Sequence, residues 1–302
     1  MKSFKVNCIL MSTILLWASA FIGIKIGLAA YSPGALALFR FLVASVFMVF
    51  MYWQQKDKGY MPWKDRLFLM LGGMTGIGVY NICLNFGEIT VTAGIASFVI
   101  GLMPVITVLL SLVFLRERLN SGVWTGIAIS FIGLILLTLG EGVDINMQMG
   151  IVLIFISAIV GSVLTIIQKR YINVYHPTVI MSWVMWGGTL LLLLFLPDLW
   201  QEMHVADYKS TAAAVYMGIF PAALAYLAWT YVLKHLTATK ASMSLYALPI
   251  ASTVLGFIFL EEIPSFTSLA GGSIALTGAL IAHRFQEQER LEDEGDDEAV
   301  PA

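Results

Sequence analysis

Ten apolar stretches of about twenty residues follow one another along this 302-residue chain. Each is long enough to cross the hydrocarbon core of a bilayer as a helix, which takes about 20 residues. The stretches cover residues 7–28, 34–53, 67–86, 91–114, 122–139, 150–168, 177–196, 212–233, 238–260 and 265–283. Because lipid offers the backbone no hydrogen-bond partner, every stretch is predicted to be a helix.

The composition agrees with an integral membrane protein. Hydrophobic residues make up 59% of the chain and charged residues only 12%, whereas soluble domains carry about 25% charged residues. Cys8 and Cys83 both lie in apolar segments, so we expect packing roles and neither a disulfide framework nor a metal site. The start of the chain imitates a signal peptide, but its apolar run continues to Leu28, so we interpret it as the first membrane helix.

Lysine and arginine residues mark one side of the membrane. If the stretches alternate in direction, fourteen basic residues lie on the side of the N-terminus, and the opposite side holds only Lys209. The remaining two, Lys25 and Arg40, lie within stretches. Cytoplasmic segments carry such an excess, so both termini are predicted to be cytoplasmic. The net charge of −2 gives no indication of nucleic-acid binding.

An internal repeat divides the chain in two. The segment Thr92–Gly133 recurs 145 residues later as Thr237–Gly278. The pairs that chance explains least well are Pro104/Pro249, Glu117/Glu262, Gly126/Gly271 and Gly133/Gly278. Earlier pairs such as Lys25/Lys169 match at 144 residues. Each half holds five stretches, so the second half enters the membrane upside down.

The predicted fold is therefore an all-α integral membrane protein, with ten transmembrane helices forming two inverted five-helix repeats. We place the repeats at residues 1–140 and 148–285, followed by an acidic cytoplasmic tail, residues 286–302, that is predicted to be disordered. Inverted repeats are typical of alternating-access transporters, whose substrate site lies near the midplane. Duplication kept for stability alone is the other interpretation.

Several segments resemble one known family. They are LLWASAFIGIKIGL in the first stretch, LFRF in the second, the Pro-centred fourth and ninth stretches, and the closing Glu of FLRERL and FLEEI. Together they resemble the EamA-type branch of the drug/metabolite transporter superfamily. The resemblance implies a bacterial inner-membrane protein with a central cavity lined by helices 1, 3, 4, 6, 8 and 9, and export of amino acids or related metabolites. Arg40 has no basic counterpart in the seventh stretch, which implies an asymmetric site.

Arg40 is the clearest charge within a stretch. It lies about 9 Å from the outer end of the second stretch, at a rise of 1.5 Å per residue. It either attracts a carboxylate substrate or caps carbonyl groups at a neighbouring helix end. Lys25 lies nearer the surface, where its side chain can reach water.

Polar and aromatic side chains on several stretches complete a candidate substrate site, because buried polar groups in lipid face other helices. The set is Trp17, Arg40, Tyr80, Asn81, Asn85, Ser97, Ser162, Gln168, Tyr226, Trp229 and Tyr246. Aromatic rings beside amides suit an amino acid with a sizeable side chain. Hydrogen bonding and packing between helices are the other interpretation. Pro104 and Pro249 are predicted to kink their helices.

No carboxylate or histidine lies in the middle of a stretch, although proton relays in transporters usually use such groups. Facilitated efflux or exchange is the simpler expectation, with coupling through Glu88 or Glu117 left open. The sequence thus predicts a secondary transporter that exports amino acids or related metabolites by rocking its two halves. An importer or exchanger of another metabolite or drug, and more remotely a non-transporting scaffold, are the alternatives.

No enzyme motif and no cofactor site is predicted; the expected partners are a small-molecule substrate and the bilayer, without nucleic acid. A monomer and a homodimer are both compatible with the sequence. Small-residue pairs that allow close helix contact occur at Gly23/Gly27, Gly72/Gly76 and Gly122/Gly126.

Overall fold

The computed structural model describes residues 2–56, 58–115, 121–140, 145–235 and 244–298. Within these residues the chain forms ten membrane helices, as the apolar stretches predict, and six of them are long and apolar enough by themselves to cross a membrane. The helices are α1 (Lys2–Gly27), α2 (Pro33–Gln54), α3 (Trp63–Gly87), α4 (Ala93–Ile100 and Met103–Leu115), α5 (Ser121–Gly140), α6 (Ile145–Tyr171), α7 (Pro177–Glu202), α8 (Tyr208–His235), α9 (Ser244–Leu260) and α10 (Phe266–Glu298).

Helices of one repeat pack against helices of the other repeat. α1 packs against α8 and α9, and α2 also packs against α8. In the inverted equivalent, α6 packs against α3 and α4, and α7 against α3. These contacts define two mixed bundles, which we call bundle I (α1, α2, α8 and α9) and bundle II (α3, α4, α6 and α7). The bundles meet chiefly where α2 contacts α7 and where α4 contacts α9, while α5 and α10 pair with each other and α10 also contacts α4.

The two prolines of the repeat begin new helical segments. α4 stops at Ile100 and resumes at Met103, so that Pro104 is the second residue of its second segment. Pro249 takes the same place in α9, after the 3₁₀ turn Ser244–Ala247. Near the start of a helix the missing N–H of proline has no intrahelical partner to lose. The expected kinks are therefore interruptions of the helices.

Two π-helical segments, which the sequence analysis did not anticipate, interrupt α3 at Met74–Val79 and α8 at Gly218–Leu224. Their first residues differ by 144 positions, the spacing of the earlier repeat pairs. In α8 the segment contains Pro221, which cannot donate an α-helical hydrogen bond. Wide turns of this kind frequently occur at functional sites.

The last helix is longer than expected. The tenth apolar stretch ends at residue 283 and the sequence predicts disorder over 286–302, whereas α10 continues to Glu298. The added segment contains five Glu and two Gln, which favour helix, together with three Asp and one Gly, which do not. Residues 299–302 lie outside the described residues.

The small-residue pairs lie against other helices of the same chain. A methyl group added at Gly23 would lie 2.7 Å from the Met217 side chain, and one added at Gly76 would lie 2.3 Å from Leu164. At Gly122 it would lie 2.3 Å from Phe285. These glycines are therefore needed for packing within the protomer.

Asp207 fixes the start of α8. Its carboxylate accepts hydrogen bonds from the backbone N–H and the hydroxyl of Ser210, at 2.9 and 2.7 Å, and these bonds lower the pKa of Asp207 below its ordinary value. The cap stabilises the fold only when the carboxylate is ionised. We expect Asp207→Ala to lower the melting temperature at neutral pH.

The pH dependence of this difference follows from the lowered pKa. The stabilisation is complete above the ordinary aspartate pKa of about 4 and is lost as pH falls through the lower native value. Melting curves of both proteins between neutral pH and acid would check this, and a difference that stays constant with pH would contradict it.

Candidate functional site

A central cavity opens between the two bundles. It encloses about 930 Å³, including the space at its mouth. Its wall comes from α1, α3, α4, α6, α8 and α9, the six helices that the family resemblance implies, together with Arg40 of α2. Gly76 and Pro221 of the two π-helical segments also lie in the wall.

Seven of the eleven side chains predicted for the substrate site lie in the cavity wall. They are Trp17, Arg40, Tyr80, Asn81, Gln168, Tyr226 and Trp229. Trp17 contacts both aromatic residues of α8, with ring centroids 5.5 Å from Tyr226 and 5.2 Å from Trp229. Its indole N–H donates to the carbonyl of Pro221 at 3.2 Å. An aromatic cluster thus lines the α1–α8 side of the cavity.

The side-chain amides of Asn81 and Gln168 in the cavity wall are oriented by hydrogen bonds. Asn81 donates its side-chain N–H to the carbonyl of Ile77 at 2.8 Å. Gln168 donates to the sulfur of Met181 at 3.0 Å. Donor bonds of this kind orient an amide and leave its carbonyl oxygen as the group with acceptor capacity.

Arg40 carries the only guanidinium in the cavity wall among the described residues. The side chain is only 4% exposed, and neither Nε nor Nη1 has a hydrogen-bond partner among the described residues. The guanidinium carbon lies 5.3 Å from the ring centroid of Phe41. Tyr80, Tyr226 and Glu88 are its electrostatic neighbours. Among the described residues, no helix carbonyl group accepts a hydrogen bond from Nε or Nη1 of Arg40, so these two atoms do not cap a helix end.

The other four predicted site residues lie outside the cavity wall and mostly bond to helix backbones. Asn85 donates to the carbonyl of Pro33 at 2.9 Å. Ser97 donates to Gly94 at 2.5 Å and accepts from Ser252. Ser162 donates to Ala158 at 2.8 Å, with Met103 at 3.1 Å as a second acceptor.

Tyr246, the last of the four, is buried in a separate cluster with Val105, Val123 and Ile127. Its hydroxyl has no partner among the described residues. These four residues therefore contact helices and do not line the cavity.

Glu88 is a buried carboxylate that the sequence analysis treated as peripheral. It follows the last residue of α3, yet its side chain is 0% exposed and neither oxygen has a hydrogen-bond partner among the described residues. Lys25, Arg40 and Glu262 are its charged neighbours. In the sequence, only the short connection between α3 and α4 indicated that Glu88 could be buried, because so short a connection keeps a polar residue close to the bundle.

Comparison with known proteins agrees with this architecture. The model of the EamA-like transporter family matches residues 4–139 and 148–283. An uncharacterized transporter of Bacillus subtilis, YdfC, is 36% identical over 272 residues, which cover 89% of this chain and 87% of that protein. A Streptantibioticus cattleyicolor protein named "Probable terminal-alkyne amino-acid exporter" is 31% identical over 284 residues, covering 94% and 95%.

A solved crystal structure shares the fold. It superposes with a TM-score of 0.65 at 20% sequence identity and covers 92% of this chain and 96% of its own. The family match extends over both five-helix repeats and leaves only short segments outside. The chain is therefore a multi-pass membrane protein that belongs to the EamA-like transporter family.

Proposed function

We propose that this transporter exports amino acids or related small metabolites across the bacterial inner membrane by alternating access. The observation that carries the proposal is the central cavity, which combines one buried guanidinium with an aromatic wall. Unpaired guanidinium nitrogen atoms in a buried site favour a ligand with a carboxylate, because a charged acceptor offsets their desolvation.

The remaining wall suits the rest of an amino acid. The carbonyl oxygen of Asn81 and the faces of Trp17 and Trp229 can accept an ammonium group, the rings through cation–π attraction. Apolar residues such as Phe21, Leu164 and Leu248 line the same cavity and can contact a substrate side chain. The similarity to a protein named as an amino-acid exporter supports the same substrate class.

The moving bodies in this proposal are the two mixed bundles. The sequence predicts two repeats that rock against each other, but each repeat contributes helices to both bundles. The cavity lies between bundle I and bundle II, so relative tilting of the bundles would open it to one side and then to the other. The basic residues of the connecting segments favour cytoplasmic N- and C-termini.

Release of a mixture of common amino acids from proteoliposomes tests the proposal. We expect mass spectrometry to detect selective release above that from protein-free vesicles, with and without a pH gradient. Trp229→Ala, in the cavity wall, should reduce release strongly. Trp200→Ala, whose side chain is 68% exposed outside the cavity, is the matched control and should behave as wild type.

Two outcomes would contradict the proposal. If folded wild-type protein releases no amino acid, the substrate class is wrong and the family membership is unaffected. If Trp229→Ala and Trp200→Ala release amino acids equally well, the cavity is not the pathway.

A further inference from the structure

Each π-helical segment has one carbonyl group that accepts a hydrogen bond from a side chain of the cavity wall. In α8 the carbonyl of Pro221 accepts from the indole N–H of Trp17 at 3.2 Å. In α3 the carbonyl of Ile77 accepts from the side-chain amide of Asn81 at 2.8 Å. Trp17 and Asn81 both line the cavity, so each π-helical segment holds a residue of the candidate substrate site.

The two carbonyl groups are equivalent in the internal repeat. Ile77 and Pro221 are each the fourth residue of their segment, and their numbers differ by 144, the spacing of the earlier repeat pairs. The side chains that they hold are not equivalent, because Asn81 follows Ile77 on its own helix whereas Trp17 belongs to α1. The same backbone position thus orients an amide in bundle II and an indole in bundle I.

The π-helical turn of α8 makes the carbonyl of Pro221 available. In a continuous α-helix the backbone N–H of Ala225 would donate to the carbonyl four residues earlier, which is that of Pro221. Here the N–H of Ala225 donates to the carbonyl of Phe220, five residues earlier. Proline also lacks the N–H that would continue an α-helix through this position. Pro221 therefore favours the wide turn and also carries the acceptor that the turn leaves for Trp17.

Trp17 is the central ring of the aromatic wall. Its ring centroid lies 5.5 Å from that of Tyr226 and 5.2 Å from that of Trp229. Aromatic contacts alone permit several ring orientations of similar energy. The bond from Nε1 to the carbonyl of Pro221 selects one of them, because the indole has a single donor. Since this donor is occupied, the indole meets a ligand with its π-system, which attracts cations.

We propose that Pro221 is a positioning residue of the substrate site, whose carbonyl group fixes the indole of Trp17 so that the ring accepts the ammonium group of an amino acid. The inference rests on the amino-acid transport proposed above. Pro221 acts through Trp17 and needs no contact of its own with the substrate. A 2-hydroxy acid with the same side chain lacks the ammonium group and gains nothing from this arrangement, so the site should prefer the amino acid.

The position of Trp17 can be measured without any substrate. Full-length protein with ¹⁵N-labelled tryptophan gives one NMR signal for each of its eight indole N–H groups, and the signal that Trp17→Phe removes belongs to Trp17. In Pro221→Ala, residue 221 regains an N–H, so that an α-helical turn can form and the Ala225 N–H can take the carbonyl. We expect the Trp17 signal to shift and its exchange with deuterium to become about tenfold faster, the effect of losing one hydrogen bond. Removing a proline from a helix interior favours the helix, so the variant should fold.

Efflux kinetics test whether this position matters to the substrate. For the amino acid that wild type releases most readily, Pro221→Ala and Trp17→Phe should each raise KM about fivefold with kcat nearly unchanged. The inhibition constant of the matching 2-hydroxy acid, added as a competitor, should change less than about twofold. The double variant should be no worse than the more affected single variant, because both changes remove the same bond. Pro197→Ala, an exposed proline of α7 outside the cavity, is the matched control and should keep wild-type kinetics.

A Trp17 signal with the same shift and exchange rate in wild type and in Pro221→Ala would overturn the inference. So would additive effects of the two substitutions on KM, or equal losses for the amino acid and the 2-hydroxy acid, which indicate a general distortion of the cavity. The NMR signal needs no transported molecule, so the two proposals fail separately. A shifted signal in a protein that releases no amino acid supports the fixing of Trp17 and removes the substrate class, whereas release with a wild-type KM in Pro221→Ala removes the positioning role alone.

Discussion

Replacing Arg40 with glutamine is expected to lower the flux of carboxylate-bearing substrates roughly a hundredfold, the usual cost of removing a strong bond between charged groups in a desolvated site. Arg40 is the single guanidinium in the described cavity wall, and two of its nitrogen atoms have no partner among the described residues. The measurement is initial efflux from proteoliposomes, for one amino acid and for the amine that lacks its carboxylate. The loss should fall on the amino acid and largely spare the amine.

Stability separates this role from a structural one. An arginine that capped helix carbonyls would stabilise the protein, and its removal would lower the melting temperature. A buried guanidinium with unpaired nitrogen atoms costs folding free energy, so in a Glu88→Gln background, where its buried acidic neighbour is neutral, Arg40→Gln should leave the melting temperature unchanged or raise it. Arg40→Lys keeps the charge and should retain part of the flux, because it loses only the planar donor geometry. Equal losses for amine and amino acid, together with a lower melting temperature, would contradict carboxylate recognition.

The number of helices could be predicted because it depends on a local property, the run of about twenty apolar residues that a span requires. The cytoplasmic location of both termini stays a prediction from the excess of basic residues on one side. The predicted helix ends were less accurate where a capping residue determines the end of the helix. α8 begins at Tyr208, four residues before the apolar stretch, because Asp207 caps it.

Pairing between helices could not be predicted in the same way. Apolar composition does not specify a neighbour, so it did not indicate that α1 and α6 each pack mainly against helices of the opposite repeat. The π-helical segment of α3 contains no proline, so the sequence contains no indication of it. Pro221 in α8 could have been used to predict an irregular segment there.

The size and hydrogen bonding of each predicted side chain largely explain whether it lines the cavity. The predicted aromatic residues of α1, α3 and α8 and the amides of Asn81 and Gln168 lie in the cavity wall, because large polar side chains in lipid turn towards the protein interior. Asn85 is the exception, since its amide donates to the carbonyl of Pro33 outside the wall. Ser97 and Ser162 need no cavity, since each hydroxyl bonds to a carbonyl three or four residues earlier in its own helix. Glu88 was considered only as a possible coupling residue, and its burial was not predicted, because its position next to a helix end resembles an exposed one.

A large effect on stability is expected at the contact between α5 and α10. There the glycines of the repeat bring two backbones together. A methyl group added at Gly278 would lie 2.4 Å from the backbone nitrogen of Ser130 and 2.6 Å from the carbonyl oxygen of Gly126. One added at Gly126 would lie 2.3 Å from the nitrogen of Ala282. The clash is with backbone, so no side-chain rotation relieves it, and the helices must separate.

We therefore expect Gly278→Ala to lower the apparent melting temperature by roughly 5–10 °C, the effect of overpacking that costs about 3 kcal/mol. Gly256→Ala in α9 is the matched control, because the nearest heavy atom would be Glu262 Oε2 at 3.5 Å, an ordinary contact. Alanine also favours helix over glycine, so this variant should melt at the wild-type temperature or above it. Thermal unfolding of both purified variants checks the comparison. Equal melting temperatures for the two would mean that α5 and α10 do not depend on this close approach, and that the repeated glycines serve another purpose.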